Sequence, residues 1–320
     1  MTKQENVLII GAYGQLGTEL TVALRKMYGE KHVVATDIHS GDGSLGQQGI
    51  FEELNALDGS KMAELVDRYQ ITQIYHLAAM LSAKGEENPL FAWKLNMESL
   101  LNVLEIAREK KLHKVYFPSS IGVFGVDTPK ALTPQQTVIN PNTIYGISKQ
   151  AGEHWCSYYF QKYGVDARCL RYPGLISYNA LPGGGTTDYA VDIYYKALEK
   201  GTYECFLSED TYLPMMYMPD AIKGTLDLMH APAEQIKTRT GYNLAALSFS
   251  PKEITQAIQT HVPEFSITYK PDARQHIADS WPDSIDDAEA RADWGWQHQY
   301  DLQTMTNDML VNLKKKLVLA

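Results

Sequence analysis

Over the first half of the chain, short apolar runs alternate with longer segments whose apolar positions recur every three to four residues. The runs predict strands at Asn6 to Ile10, His32 to Asp37, Ile50 to Glu53, Gln73 to His76, Lys114 to Pro118 and Asp166 to Arg171. The clearest helical patterns cover Pro89 to Lys110 and Ile144 to Tyr163. Pro89 suits a first helical turn, where its missing N–H has no partner to lose. Strand, helix, strand in repeated order predicts an α/β fold built on a doubly wound parallel sheet, with ligands at the carboxyl ends of the strands.

Past Tyr172 the rhythm changes. A loop rich in Gly and Pro runs from Pro173 to Thr187, followed by a helix from Asp188 to Lys200 and then shorter mixed elements. This predicts a smaller, interleaved C-terminal lobe that handles substrate. The expected division is residues 1–174, joined by 215–248, for the first domain, and 175–214 with 249–320 for the lobe. Lys314, Lys315 and Lys316 read as the end of a solvated helix.

Composition narrows the function classes. Hydrophobic residues are 44% and charged residues 21%, ordinary for a folded globular chain. A net charge of −9 argues against a nucleic-acid partner, which requires clustered Lys and Arg. The first apolar run, Val7 to Ile10, is too short for a signal-peptide core, and no later stretch approaches a membrane span. Cys156, Cys169 and Cys205 have no paired spacing, so reduced thiols and a cytoplasmic location are expected. The nine histidines form no metal-binding motif, and no metal is expected.

Candidate chemistry begins at Gly11-Ala12-Tyr13-Gly14-Gln15-Leu16-Gly17, which leaves the first strand and opens a helix. Glycines there permit a tight turn, close approach to a pyrophosphate and close helix packing, while the helix N-terminus offers free N–H groups. Such a motif alone is weak. Asp37, twenty residues past Gly17 at the end of the second strand, strengthens it. Its carboxylate suits adenosine-ribose hydroxyls and repels a 2′-phosphate, which selects NAD over NADP. Asp58 faces the adenine or starts a helix; the sequence leaves both readings open. His76 reads as a core histidine ahead of Leu77, Ala78 and Ala79, whose small side chains leave room for the cofactor.

Tyr145 and Lys149 are four residues apart on one helix face. A phenol of pKa about 10 needs its anion stabilised to act as a base near neutrality, and a lysine ammonium one turn away, with the positive nicotinamide, supplies that. Lys149 also suits the nicotinamide-ribose hydroxyls. The same spacing recurs at Tyr158 and Lys162, about 20 Å further along the helix at about 1.5 Å per residue, and is read as a coincidence. Pro118-Ser119-Ser120 ends the fifth strand at its carboxyl edge, which favours the first pair. A hydroxyl there steadies a substrate oxygen whose charge changes. Asn96 either completes a proton relay through water to Lys149 or is a polar residue on a helix face.

Together the Gly11 to Gly17 turn, Asp37, Asn96, Ser120 and the Tyr145–Lys149 pair resemble the extended short-chain dehydrogenases, with their Rossmann domain, substrate lobe and Ser–Tyr–Lys mechanism. Nucleotide-sugar relatives usually continue the sixth strand with a segment like Arg-x-x-Asn-x-x-Gly-Pro; this chain has Arg171-Tyr172-Pro173-Gly174-Leu175-Ile176-Ser177. That stretch, with 181–190, Asp272 to Pro282 and Asp293 to Trp296, is similar to the short-chain L-threonine 3-dehydrogenases over nearly the whole length. The resemblance implies NAD-dependent oxidation of L-threonine to L-2-amino-3-oxobutanoate by Ser120, Tyr145 and Lys149. It implies NAD contacts at Gly11, Gly14, Gln15, Leu16, Gly17, Asp37, Asp58, Leu77, Ala78, Ala79, Asn96, Tyr145, Lys149 and Leu175. For substrate it implies Ser82, Ser119, Ser120, Tyr145, Thr186, Thr187 and Asp188, and for assembly a homodimer through the two long helices. Thr186 and Thr187 offer hydroxyls and N–H groups to a carboxylate, and Asp188 a partner for an ammonium. Helix capping explains the two threonines equally well. Two rival functions share the scaffold: a nucleotide-sugar epimerase or dehydratase, and a non-catalytic NAD-sensing regulator, which tends to lose the Tyr and Lys present here.

Overall fold

In a computed structural model of the chain, residues 4–41, 43–179 and 185–319 are described. The elements begin with β1 (Val7–Ile10), α1 (Gln15–Tyr28), β2 (Val33–Asp37), α2 (Ser44–Gln47), β3 (Phe51–Glu53), α3 (Gly59–Arg68), β4 (Gln73–His76) and α4 (Ser82–Glu87). They continue with α5 (Pro89–Lys110), β5 (Lys114–Ser120), α6 (Ile144–Tyr163), β6 (Ala167–Tyr172), β7 (Gly174–Ile176), α7 (Tyr189–Glu199), β8 (Thr202–Cys205) and β9 (Leu213–Tyr217). The last are α8 (Met218–His230), β10 (Tyr242–Asn243), β11 (Leu247–Phe249), α9 (Pro251–Gln259), β12 (Ser266–Tyr269), α10 (Arg274–Ala278), α11 (Ala288–Trp294) and α12 (Leu302–Leu319).

The chain divides into two units. The first takes Met1–Ser120, Thr143–Arg171 and Thr225–Tyr242; the second takes Ile121–Asn142, Tyr172–Gly224 and Asn243–Ala320. Residues 121–142 therefore cluster with the second unit, not with the 1–174 domain expected from sequence, as do 215–224 and 243–248. The second unit consequently holds close to half of the chain. Segment 121–142 carries no helical or strand period, so its partners are set by tertiary packing alone.

The central sheet has seven strands in the order β10-β6-β5-β4-β1-β2-β3. β1 lies parallel between β2 and β4, with Val7 opposite both Val33 and Gln73. Strand order reverses there, and the carboxyl ends of β1 and β4 form the switch point at which such sheets bind ligands. All four residues of β1, Val7-Leu8-Ile9-Ile10, are buried because both sheet faces are covered. Leu8, Ile74 and Val115 pack with Met62 of α3, Leu100 and Val103 of α5, and Cys156 of α6. α1 packs against β1 and β2. α5 starts where Asn88 accepts the Phe91 N–H and Pro89 enters the first turn. α6 starts at Thr143, whose hydroxyl accepts the Gly146 N–H at 3.1 Å, and stops at Gly164 in the left-handed region. Those local signals give both helices the bounds predicted from sequence.

In the second unit β7 runs parallel to β9, and β9 antiparallel to β11. β8 pairs with β12. Helices α7, α9 and α12 pack around Tyr189, Tyr194, Tyr217, Phe249 and Trp281, so Trp281 is core. Trp296 is fully buried, and its indole N–H reaches Asp287 Oδ2 at 2.9 Å and the Ala245 carbonyl at 3.0 Å. Lys314 and Lys315 are exposed on α12, whereas Lys316 Nζ donates to the carbonyls of Tyr178 (3.3 Å) and Asn179 (3.0 Å). The third lysine of the tail thus braces a loop. No described helix is long and apolar enough to cross a membrane.

Candidate active site

The turn after β1 is glycine for steric reasons that the structure makes concrete. At Gly11, with φ +90°, a Cβ would stand 2.7 Å from the Ala78 nitrogen. The turn therefore lies directly against the chain leaving β4. At Gly17 a Cβ would meet the Gly11 carbonyl oxygen at 2.2 Å, so only glycine lets α1 approach the turn this closely. Gly14 is the exposed N-cap of α1, followed by half-buried Gln15 and Leu16. The Thr36 carbonyl accepts the N–H groups of Gly11 and Ala12, both at 2.9 Å. Tyr13 packs edge-on against Phe51, and its hydroxyl accepts the Leu45 N–H at 3.2 Å.

Asp37 closes the turn from the other side. Its Oδ2 accepts the Tyr13 N–H at 2.9 Å and its Oδ1 the Ile38 N–H at 2.8 Å. Each carboxylate oxygen retains a lone pair for a further donor. Asp58 takes the helix-start role: its Oδ1 accepts the Lys61 N–H at 2.9 Å as the N-cap of α3.

Leu77, Ala78 and Ala79 follow β4, and the Leu77 N–H donates to the Ile10 carbonyl at 2.8 Å. The next residue is clamped by Asn96. Asn96 Oδ1 accepts the Met80 N–H at 2.8 Å, while its Nδ2 donates to the Met80 carbonyl at 3.2 Å and to Ser148 Oγ at 3.0 Å. Buried Asn96 therefore ties the post-β4 loop to α6, a use of its side chain that neither sequence reading included. Ser82 is buried as the first residue of α4, which packs on α6. His76 is a core histidine: Ser99 donates its hydroxyl to the Leu95 carbonyl and so accepts from His76 Nε2 at 2.9 Å. Burial, with the Lys149 charge nearby, pushes the His76 pKa down to about 3.

At the end of β5, Tyr145 hydrogen-bonds the Ser120 hydroxyl. Lys149 Nζ donates to the Pro118 carbonyl at 2.6 Å and stands 5.5 Å from the Tyr145 ring centre. Burial pushes Tyr145 up to about 12, against the lowering effect of Ser120, and pushes Lys149 down to about 8. The nicotinamide charge expected to act with Lys149 on this phenol comes only with the bound cofactor. In the protein by itself burial dominates, and Ser120 is the group that lowers Tyr145.

Ser119, one residue earlier, turns to the helix. Its hydroxyl donates to Glu153 Oε1 at 2.6 Å and the residue is buried, so it serves as a strut between β5 and α6. Glu153 in turn grips Arg171 with both oxygens, at 2.9 and 2.8 Å. Sequence reasoning missed Glu153, although it lies four residues beyond Lys149 on the face that carries Tyr145.

In the second unit, Thr186 is buried and Thr187 packs so closely on Gly174 that a Cβ there would lie 2.6 Å from it. Asp188 occupies the N-cap position of α7, yet its carboxylate makes no cap bond and instead accepts the Gly185 N–H at 2.7 Å. That bond, from a side chain back to the N–H three residues earlier, closes the turn that enters α7. Leu175 is half-buried in β7. The stretch 181–184 of the glycine loop lies outside the described residues.

Residues 7–245 match the NAD dependent epimerase/dehydratase family. The chain belongs to that family. An uncharacterized epimerase/dehydratase of Staphylococcus saprophyticus is 50% identical over 314 residues, 98% of either chain. Among solved structures, a partial-consensus L-threonine 3-dehydrogenase is 56% identical with a TM-score of 0.95, covering 97% of this chain and 99% of that one. The holo form of a GalE-like L-threonine dehydrogenase from Cupriavidus necator is 54% identical with a TM-score of 0.93, covering 96% and 99%.

The enzyme's cofactor is NAD, and the residues fit it. The sterically closed cradle at Gly11 and Gly17, the N-terminus of α1 and the Asp37 carboxylate suit pyrophosphate and ribose in turn. No group of metal-ligating side chains occurs among the described residues.

Proposed function

We propose that the enzyme oxidises L-threonine at its 3-hydroxyl, giving L-2-amino-3-oxobutanoate. The observation that carries this reading is the Ser120–Tyr145–Lys149 set at the end of β5, in a chain more than half identical to L-threonine dehydrogenases. NAD supplies the hydride acceptor. Tyr145 takes the hydroxyl proton, Ser120 steadies the substrate oxygen, and Lys149 stabilises the phenolate that forms and holds ribose hydroxyls. Cofactor contacts at Gly11, Gly14, Gln15, Leu16, Gly17, Asp37, Asp58, Leu77 to Ala79, Asn96 and Leu175 belong to the proposal. So do substrate contacts at Ser82, Thr186 and Thr187, and Asp188 for the ammonium.

The arginines argue against a nucleotide pyrophosphate as ligand. Arg239 pairs with Asp166 at 2.6 Å, Arg274 with Asp272 at 2.5 Å, and Arg291 with Asp287 at 2.7 Å. Arg274 also stacks on Phe206. Each guanidinium group beyond Arg171 already pairs with a carboxylate of this chain, Arg239 buried and the other two nearer the surface.

The same proposal includes a homodimer through α5 and α6. Five exposed aromatic residues, Phe91, Trp93, Trp155, Tyr158 and Tyr163, lie on these helices. Sedimentation would return twice the monomer mass; a monomer at all concentrations rejects this part.

NADH absorbance on mixing with NAD and L-threonine tests the reaction, with D-threonine, L-serine and NADP alongside. Formation specific to L-threonine supports it. Silence with L-threonine, with micromolar UDP-sugar binding by calorimetry, moves the enzyme to nucleotide-sugar chemistry.

A further inference from the structure

Three consecutive residues of β5 are each tied to one residue on a single face of α6. The Pro118 carbonyl accepts from Lys149 at 2.6 Å, Ser119 donates to Glu153 at 2.6 Å, and Ser120 bonds Tyr145. Tyr145, Lys149 and Glu153 are spaced by four residues each, which stacks them along the helix. The Glu153 rung is the most deeply set. Its side chain is 2% exposed, and that of Arg171 on β6 is 3%. At Gly241 a Cβ would stand 2.5 Å from Glu153 Oε1, so the neighbouring chain closes over the carboxylate. A carboxylate held by two guanidinium bonds, one hydroxyl and a side-chain-free wall has one position open to it.

We infer that Glu153, held by Arg171, is a positioning residue: through Ser119 it fixes the end of β5 against α6 and so sets the contact between Ser120 and Tyr145. Glu153 touches neither substrate nor cofactor in this account. It lies far from Ser119 and Arg171 in sequence but joins the helix, β5 and β6 where the reaction is proposed. The activity arm of the test rests on the threonine reading; a second arm does not.

Replacing Glu153 leaves the buried Arg171 charge without its carboxylate, which endangers folding. Ser119→Ala is the cleaner probe, because it removes only the middle rung and leaves the ion pair. A displacement of about 1 Å at reacting groups costs up to about a hundredfold. Ser119→Ala is expected to lower kcat about ten- to a hundredfold with KM for L-threonine and NAD affinity within about twofold. Ser119→Thr, which restores the hydroxyl, should recover most of the loss.

The second arm titrates Tyr145 in the NAD complex, where the nicotinamide charge lowers the phenol, by ultraviolet tyrosinate absorbance as the difference between each protein and its Tyr145→Phe counterpart. The titratable and charged groups near this face are Lys149, Glu153 and Cys156 on α6, Arg171 and Cys169 on β6 and His76 at the end of β4. Ser119→Ala replaces none of them and removes one bond, to Glu153. A titration moved to higher pH supports positioning through Ser120, and does so even if L-threonine proves not to be the substrate. A folded Ser119→Ala protein with unchanged kcat, or with reduced activity but an unmoved Tyr145 titration, overturns the inference.

Discussion

Helix α6 carries two tyrosine–lysine pairs of identical spacing, and they behave as opposites. Tyr158 and Lys162 lie on the exposed side, where Lys162 Nζ donates directly to the phenol oxygen at 2.7 Å and that bond raises the lysine pKa. Tyr145 and Lys149 turn inward at the end of β5, where the lysine is bonded to Pro118 and the tyrosine to Ser120. Burial there raises the phenol to about 12 and lowers the ammonium to about 8. The outer pair satisfies itself, away from the strand ends, and is inert. The inner pair has lost solvent, so any charge brought beside it moves its protonation strongly. Spacing supplies proximity; a strand end that excludes water supplies reactivity.

The contrast breaks most sharply at the tyrosines. Tyr145→Phe should cost about 10³- to 10⁴-fold in kcat with NAD affinity kept, because it deletes the base; Tyr158→Phe should stay within about twofold. Steady-state NADH formation and calorimetric NAD titration read both. At the lysines, Lys149→Met should cost about 10²-fold, as removing a buried charge beside the phenolate moves its pKa by about two units. Lys162→Met is expected to leave kcat/KM within about twofold.

Ser120→Ala is expected to cost about tenfold, the worth of one hydrogen bond. Since Ser120 lowers Tyr145, its removal should also shift the rising limb of the pH–kcat profile to higher pH. A limb that stays in place, or moves to lower pH, contradicts the assignment.

A last effect falls on stability and not on turnover, and concerns His76, which feels the Lys149 charge. Its folded pKa of about 3 is below the unfolded value of about 6.5. Between those values the unfolded chain binds a proton that the folded chain refuses. This contribution is complete above about pH 6.5 and declines toward pH 3, by up to about 1.4 kcal/mol per pH unit. Denaturant unfolding at stepped pH should show that slope flattened in His76→Gln, which keeps a donor for Ser99. Equal slopes in both proteins would place the acid sensitivity elsewhere.

Much of this was legible in the sequence, for identifiable reasons. Pro89 after Asn88, and Thr143 ahead of Ile144, are local signals that set α5 and α6 to their observed bounds. The glycine turn and Asp37 were readable because their steric demands are short-range. What stayed hidden depends on contacts between distant residues. Ser119 read as a substrate hydroxyl until the structure set it against Glu153, thirty-four residues on. Asn96 looked like a relay or a surface residue; its bonds to Met80 and Ser148 join segments that no local pattern connects. Segment 121–142 has no periodicity to declare its partners, and its place in the second unit follows from packing. A sequence shows the reacting groups more readily than the frame that holds them.

The central claim is removal of hydride from C3 of L-threonine, and isotopic labelling tests it most directly. L-Threonine carrying deuterium at C3 should turn over more slowly than the unlabelled substrate and leave its deuterium in the reduced nicotinamide, read by mass spectrometry. Reduced cofactor free of deuterium, or deuterium released to water, would contradict the account.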